Sequence, residues 1–125
     1  MSRAASSMLA FAVYLFVLGP ILLVAPNFLL SLFRFEPTTE VYIRIVGVLA
    51  LFLGYYYLSA ARSETVAFMR WSANARPFLI VFFAAFVALR LARPQLLLFG
   101  LPDLFGAFWT RLALRADAAA ARATA

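Results

Sequence analysis

One carboxylate lies deep inside an apolar stretch of this chain. It is Asp103, in the run from Gln95 to Thr110. Among leucines and phenylalanines such a group can accept hydrogen bonds, hold a cation or exchange a proton, and at membrane depth it marks a functional site by default. Arg44 is the arginine that falls within an apolar segment, and it is the natural partner for Asp103. Glu40 and Arg90 are the competing charges. Further chemistry has little to work with. The chain holds no cysteine and no histidine. That excludes thiol redox chemistry, zinc and cysteine-ligated iron–sulfur sites, His-ligated haem and any triad built on a His base. One buried acid without a second inward carboxylate is thin equipment for catalysis, so the chain reads as non-enzymatic, with no catalytic, metal or covalently bound cofactor residues.

The elements that must position these charges follow from composition. The 125 residues are 66% hydrophobic, with a mean hydropathy of +0.97, well above the roughly 45–50% apolar content of soluble domains. A soluble fold of this size could not hide so much apolar surface, and a bilayer removes that need. The expected architecture is an all-α, single-domain bundle of four transmembrane helices, near residues 8–25, 41–61, 77–92 and 95–114. The third is the shortest and is expected to extend back to Asn74 or to begin at the interface. Short interfacial helices are expected near 26–34, after Pro26, and near 64–75, where Trp71 is the anchor and Trp109 its counterpart on the fourth helix. Arg3 and the apolar run after it resemble a signal peptide, but the run is long and Pro26 follows the candidate cleavage point, so a retained helix is expected.

The net charge of +6 comes from eleven arginines and five acids. The arginines cluster at segment ends, which fits topology and anionic headgroups rather than nucleic acid. Arg3, Arg62, Arg70, Arg76, Arg111, Arg115 and Arg122 fall on one side, against Arg34, Arg90 and Arg93 on the other. This bias places both termini in the cytoplasm of a multi-pass inner-membrane protein.

Helical spacing sets the faces. Arg44, Gly47, Leu51, Gly54 and Leu58 share a stripe with Tyr55 beside it, and Asp103, Gly106, Ala107 and Thr110 share another. The third helix offers Ala84, Ala88 and Ala92, with Arg90 opposite. Small residues mark helix contacts in membranes, so these stripes are expected to turn inward and bring Arg44 and Asp103 together. Two readings stay open. In one, the pair is a structural ion pair that fixes helix register. In the other, Arg44, Asp103 and Tyr55 form an outer-leaflet pocket for a lipid headgroup, a quinone-like carbonyl or a small anion. Pro102 favours the second by freeing a backbone carbonyl. Tyr55, Tyr56 and Tyr57 read as an aromatic belt.

The runs Arg44-Ile-Val-Gly47, Leu53-Gly-Tyr-Tyr56 and Ala60-Ala-Arg62, with Arg76 and then Asp103-Leu-Phe-Gly-Ala-Phe-Trp-Thr110, resemble the small bacterial four-helix membrane proteins of the DoxX-like group. The resemblance covers most of the chain from Pro20 onward. It implies an accessory role beside a quinone-linked membrane redox enzyme and transfers no catalytic residue. The residues themselves point to a non-enzymatic subunit that packs against membrane lipids and against protein partners or a second copy through its small-residue stripes, or else to a small transport or ligand-binding bundle for a lipid, quinone or small anion.

Overall fold

A computed structural model describes residues 1–124. The fold is all-α. Helix α1 spans Arg3–Val24, α2 Pro26–Leu32, α3 Tyr42–Arg62, α4 Val66–Ala75, α5 Pro77–Ala88 and α6 Leu97–Thr124, with a 3₁₀ turn at Pro94–Leu96 before α6. The chain's own signals set these limits. Ser2 caps α1 by accepting a hydrogen bond from the Ala5 amide at 3.0 Å, as an N-cap serine should. Pro26, Pro77 and Pro94 each stand at a helix start, where the missing amide costs nothing. Asn27 fastens the α2–α3 loop, its side chain bonding both the amide and the carbonyl of Thr38 at 2.8 and 3.1 Å.

Four helical stretches are long and apolar enough to cross a membrane: Arg3–Val24, Tyr42–Arg62, Val66–Ala88 and Pro94–Thr124. The third corrects the expected boundaries. The helical stretch runs from Val66 to Ala88 rather than from 77 to 92, and it takes in most of the segment expected at the interface. Arg76 keeps helical dihedrals ahead of Pro77, so α4 continues into α5 as one span with a proline at its centre. The reason is packing: α4 runs antiparallel to α6, with Met69, Ser72 and Ala73 buried. The expected 26–34 helix is present as α2.

The helices form a curled row in the order α3, α1, α6, α4/α5, with α1 and α6 in the middle. Neighbours are antiparallel. Ser2 meets Glu64 and Ala4 meets Asp117 at one end, here called the base. At the other end, the rim, α1 and α3 cross at Gly19 and Gly47. A Cβ on Gly47 would lie 2.7 Å from the Gly19 carbonyl oxygen, so both backbones depend on glycine here. The core is dominated by alanine, with Met8, Met69, Phe11 and Tyr57 as its large members. Phe52, Phe78, Phe82, Phe105 and Leu112 face outward and are exposed. A small bundle with alanine inside and phenylalanine outside suits an apolar solvent. The architecture is that of a small multi-pass membrane protein.

Candidate functional site: an apolar cleft above a buried arginine

The most deeply buried charge is Arg76, at 5% exposure. The α4–α5 span carries it to the middle of the row, where α6 supplies Gly106 and Thr110 and α1 supplies Ser7, Met8 and Phe11. Its Nε donates to the Ser72 carbonyl at 3.3 Å, and Nη2 donates to Thr110 Oγ1 at 2.9 Å. The guanidinium carbon sits 4.7 Å from the Phe11 ring centre and 5.4 Å from that of Tyr57, close enough for cation–π attraction to both faces. Ser7 Oγ lies 2.8 Å from Thr110 Oγ1 and donates to the Ala4 carbonyl at 2.7 Å. An arginine only donates and a carbonyl only accepts, so the two hydroxyls between them point one way: Arg76 to Thr110, Thr110 to Ser7, Ser7 to Ala4. No carboxylate bonds the guanidinium, and Nη1 is buried without a partner. Nη1 lies against Gly106, where a Cβ would come within 2.9 Å of it. The glycine makes room for the charge.

Above this cluster the row opens. The two outermost members, α3 and α5, meet near the base only through α4, where Tyr57 and Phe68 stack edge to face with centroids 5.4 Å apart. Toward the rim they stay apart, and a cleft of about 570 Å³ lies between them, floored by α1 and α6 and bounded by α2 and Phe35. Its wall is leucine, isoleucine, valine and phenylalanine, from residues such as Leu18, Leu49, Leu79 and Phe83. Asp103 is the only charged group in the lining, and the Tyr14 phenol is the only other polar side chain. Asp103 is three residues, about 4.5 Å of helix rise, rimward of Gly106 on α6, and the free Nη1 lies against Gly106. An apolar cleft ending on one acceptor, with an unpartnered donor beneath, has the general form of a small-molecule site.

Several expectations change here. Arg44 and Asp103 do not pair, because α1 lies between α3 and α6. Arg44 is exposed at the rim and donates from Nη1 to the Leu23 and Val24 carbonyls, satisfying acceptors that the end of α1 leaves free. Tyr55, expected on the same side of α3, is 62% exposed and does not line the cleft, whereas Tyr57 at 6% faces the core. Gly47, Gly54, Gly106 and Ala107 do lie at helix contacts. Ala84 and Ala88 do not. They are exposed, and α5 meets α6 instead through Ile80 against Gly100. Trp71 and Trp109 are exposed on the outer surface. Arg90 is exposed beyond the end of α5. Arg76 is the buried charge that the sequence alone misplaced, since Arg-Pro reads as a boundary rather than as the interior of a helical stretch. No family model, curated protein or solved structure matches this chain.

Proposed function

We propose that this chain is a non-enzymatic membrane protein that takes an amphiphile laterally from the bilayer into the α3–α5 cleft. The molecule's hydrogen-bonding head would rest at Asp103 and its apolar tail would lie along the leucines and phenylalanines toward the rim. The observation that carries this reading is the cleft itself: about 570 Å³, almost wholly apolar, with one carboxylate at its floor. An acceptor at Asp103 with the Arg76 donor one turn below suits a head carrying both hydroxyl and carbonyl character, as lipids and the quinone/quinol class do. In this reading both termini face the cytoplasm of a bacterial inner membrane, in keeping with the arginines gathered at the base.

The test is to purify the protein in mild detergent and identify the lipids that stay bound by mass spectrometry. Wild type should retain a defined apolar compound at near one per chain. Leu53→Trp, at a cleft-lining position that is part exposed, and Asp103→Ala should each lower its occupancy at least tenfold while the protein stays folded. A wild-type protein that carries only the bulk lipid mixture would sink the proposal.

A specific observation favours a second role. Ala84 and Ala88 leave a small-residue stripe on the outer face of α5, and such a stripe accepts a close-packed partner helix. A membrane partner there would make the chain an accessory subunit of a DoxX-like kind. Ala84→Leu should then release a partner that co-purifies with wild type. Retention of that partner by the variant would remove this role.

A further inference from the structure

The base carries a second concavity, unrelated to the cleft. It is a notch of about 240 Å³ between α4 and α6, lined by Arg70, Asn74, Arg111 and Arg115 over Ala73 and Leu114. The spacing explains the convergence. Arg70 and Asn74 are four residues apart on α4, Arg111 and Arg115 are four apart on α6, and the antiparallel packing sets one pair against the other. Arg111 Nη2 donates to Asn74 Oδ1 at 2.8 Å, which fixes that guanidinium across the notch.

Three like charges facing one small volume repel, and arginines one turn apart weaken the helix that carries them. No acid offsets them. The single ion pair among the described residues joins Arg93 to Glu36 at the rim. Asp117, the nearest acid on α6, is turned to the amides of Arg3 and Ala4 at 3.3 and 3.0 Å. Arg70 and Arg115 make no side-chain hydrogen bond and are exposed. Their donors are free, and guanidinium forks bind phosphate oxygens bidentately.

The depth of the notch is also informative. Trp71 is adjacent to Arg70 and is exposed. Exposed tryptophans settle at headgroup level. The notch therefore opens where apolar surface gives way to charge, and Leu114 and Ala73 give its floor an apolar lip. We propose that it binds the phosphate of an anionic phospholipid, with Arg70 and Arg115 gripping the phosphate oxygens and Arg111 holding the notch in shape.

The experiment uses the full chain in nanodiscs of phosphatidylcholine with increasing phosphatidylglycerol, read by native mass spectrometry of lipids retained after release. Wild type should retain phosphatidylglycerol about tenfold over its share of the membrane. R70Q/R115Q, which touches no buried group, should bring retention down to that share, while R90Q/R93Q at the rim should leave the enrichment unchanged. A parallel arm adds inorganic phosphate to phosphatidylcholine nanodiscs and follows thermal unfolding. No shift is expected. Three results would overturn the proposal: no enrichment in wild type, equal losses in the base and rim variants, or stabilisation by inorganic phosphate that matches the lipid's. The last would make the notch a soluble-anion site.

Discussion

The two halves of this bundle use opposite means to stay together. Near the base, four helical segments close around Arg76, and almost every polar group in the interior has a partner. Near the rim, α3 and α5 stand apart and the space between them holds no polar network, only apolar side chains and the carboxylate of Asp103. The base is held by directional bonds and stacked rings, which permit one arrangement. The rim is held by the close backbone crossing of Gly19 and Gly47, which fixes α3 to α1 and leaves its other face free. A closed, specified half supporting an open half is a sound arrangement for a binding protein in lipid. The open half need not collapse, because the bilayer does not expel apolar surface as water does.

The largest effect should come from breaking the closed half. Arg76→Ala removes the hydrogen bonds that the charged guanidinium donates to Ser72 and Thr110 and two ring contacts, and it leaves Thr110 short of its donor, a loss of about 3–4 kcal/mol. Arg76→Met fills the same space without a charge to desolvate and should cost less than half as much. Unfolding in detergent micelles, followed by tryptophan fluorescence, measures both. If Met is as costly as Ala, the guanidinium's bonds rather than its volume hold the base together.

Next comes the support of the open half. Gly47→Leu places a side chain where a Cβ alone would be 2.7 Å from the Gly19 carbonyl oxygen and 2.8 Å from the Leu23 amide nitrogen. Neither is free to move, so a loss of about 3 kcal/mol is expected. The signature is local: cross-linking between the rim ends of α1 and α3 should fall while the Arg76 cluster stays protected. Loss of both halves together would mean that the bundle is one cooperative unit and the contrast is only geometric. Asp103→Asn should alter stability by less than about 1 kcal/mol, yet abolish retention of a cleft ligand, which separates the carboxylate's binding role from a structural one.

Much of this arrangement was legible in residues, and the part that was not has a clear cause. Apolar length alone located α1, α3 and α6, and the small-residue stripes correctly marked Gly47, Gly54 and Gly106. Asp103 stood out because a lone acid in a leucine-rich run is costly to bury. The pairing with Arg44 failed for a different reason. Face analysis says which side of a helix turns inward but not which helix lies opposite, and α1 occupies the place between α3 and α6. Arg76 was misread because arginine before proline normally closes or opens a helix. One signal was available: the third segment was too short to span, and Met69, Ser72, Ala73 and Arg76 recur at helical spacing, so extending the span backward would have put an arginine at its centre. Tyr57 was hidden for a similar reason. Three consecutive tyrosines cannot all be belt residues on a helix, and only the packed structure shows which one turns in.

A smaller effect concerns the seam that closes the base. The Ser2 amide and hydroxyl donate to the Glu64 carboxylate at 2.7 and 2.6 Å. These bonds hold its pKa below the ordinary glutamate value, with the backbone bond secondary to the hydroxyl. A depressed folded pKa means that the contribution is complete above the unfolded value and fades as pH falls through the folded one. Glu64 lies outside the spans and is exposed, so the change should be local. The ¹³C shift of its carboxyl carbon should titrate below that of a reference peptide, and Ser2→Ala should return it toward the reference. An unshifted titration in wild type would show that the base is not fastened at this point.

The smallest effect is a gain. Arg34, Glu64 and Arg90 have φ of 60, 51 and 61°, and each stands two residues past the end of a helix, just after its C-cap. Behind each, the next amide reaches back to close the end: Phe35 to Leu30, Thr65 to Ala60 and Leu91 to Phe86, at 2.9, 3.0 and 2.8 Å. This is the Schellman closure, in which the left-handed position is normally glycine. A side chain with a Cβ there costs about 1 kcal/mol. Two of the three sites flank the open rim, where Arg34 also offers its carbonyl to Gln95 Nε2 at 3.3 Å. Arg90→Gly has no side-chain bond to lose, so it should raise stability by somewhat under 1 kcal/mol, the strain relieved less the extra freedom glycine gives the unfolded chain. Arg34→Gly should gain as much, since the contact with Gln95 uses only backbone. Glu64→Gly should not, because it gives up the Ser2 bonds. If none of the three gains, the left-handed residues carry no strain. If only the rim pair gains, the base holds its strained residue for the side chain, while the rim holds its two for their position beside the membrane surface.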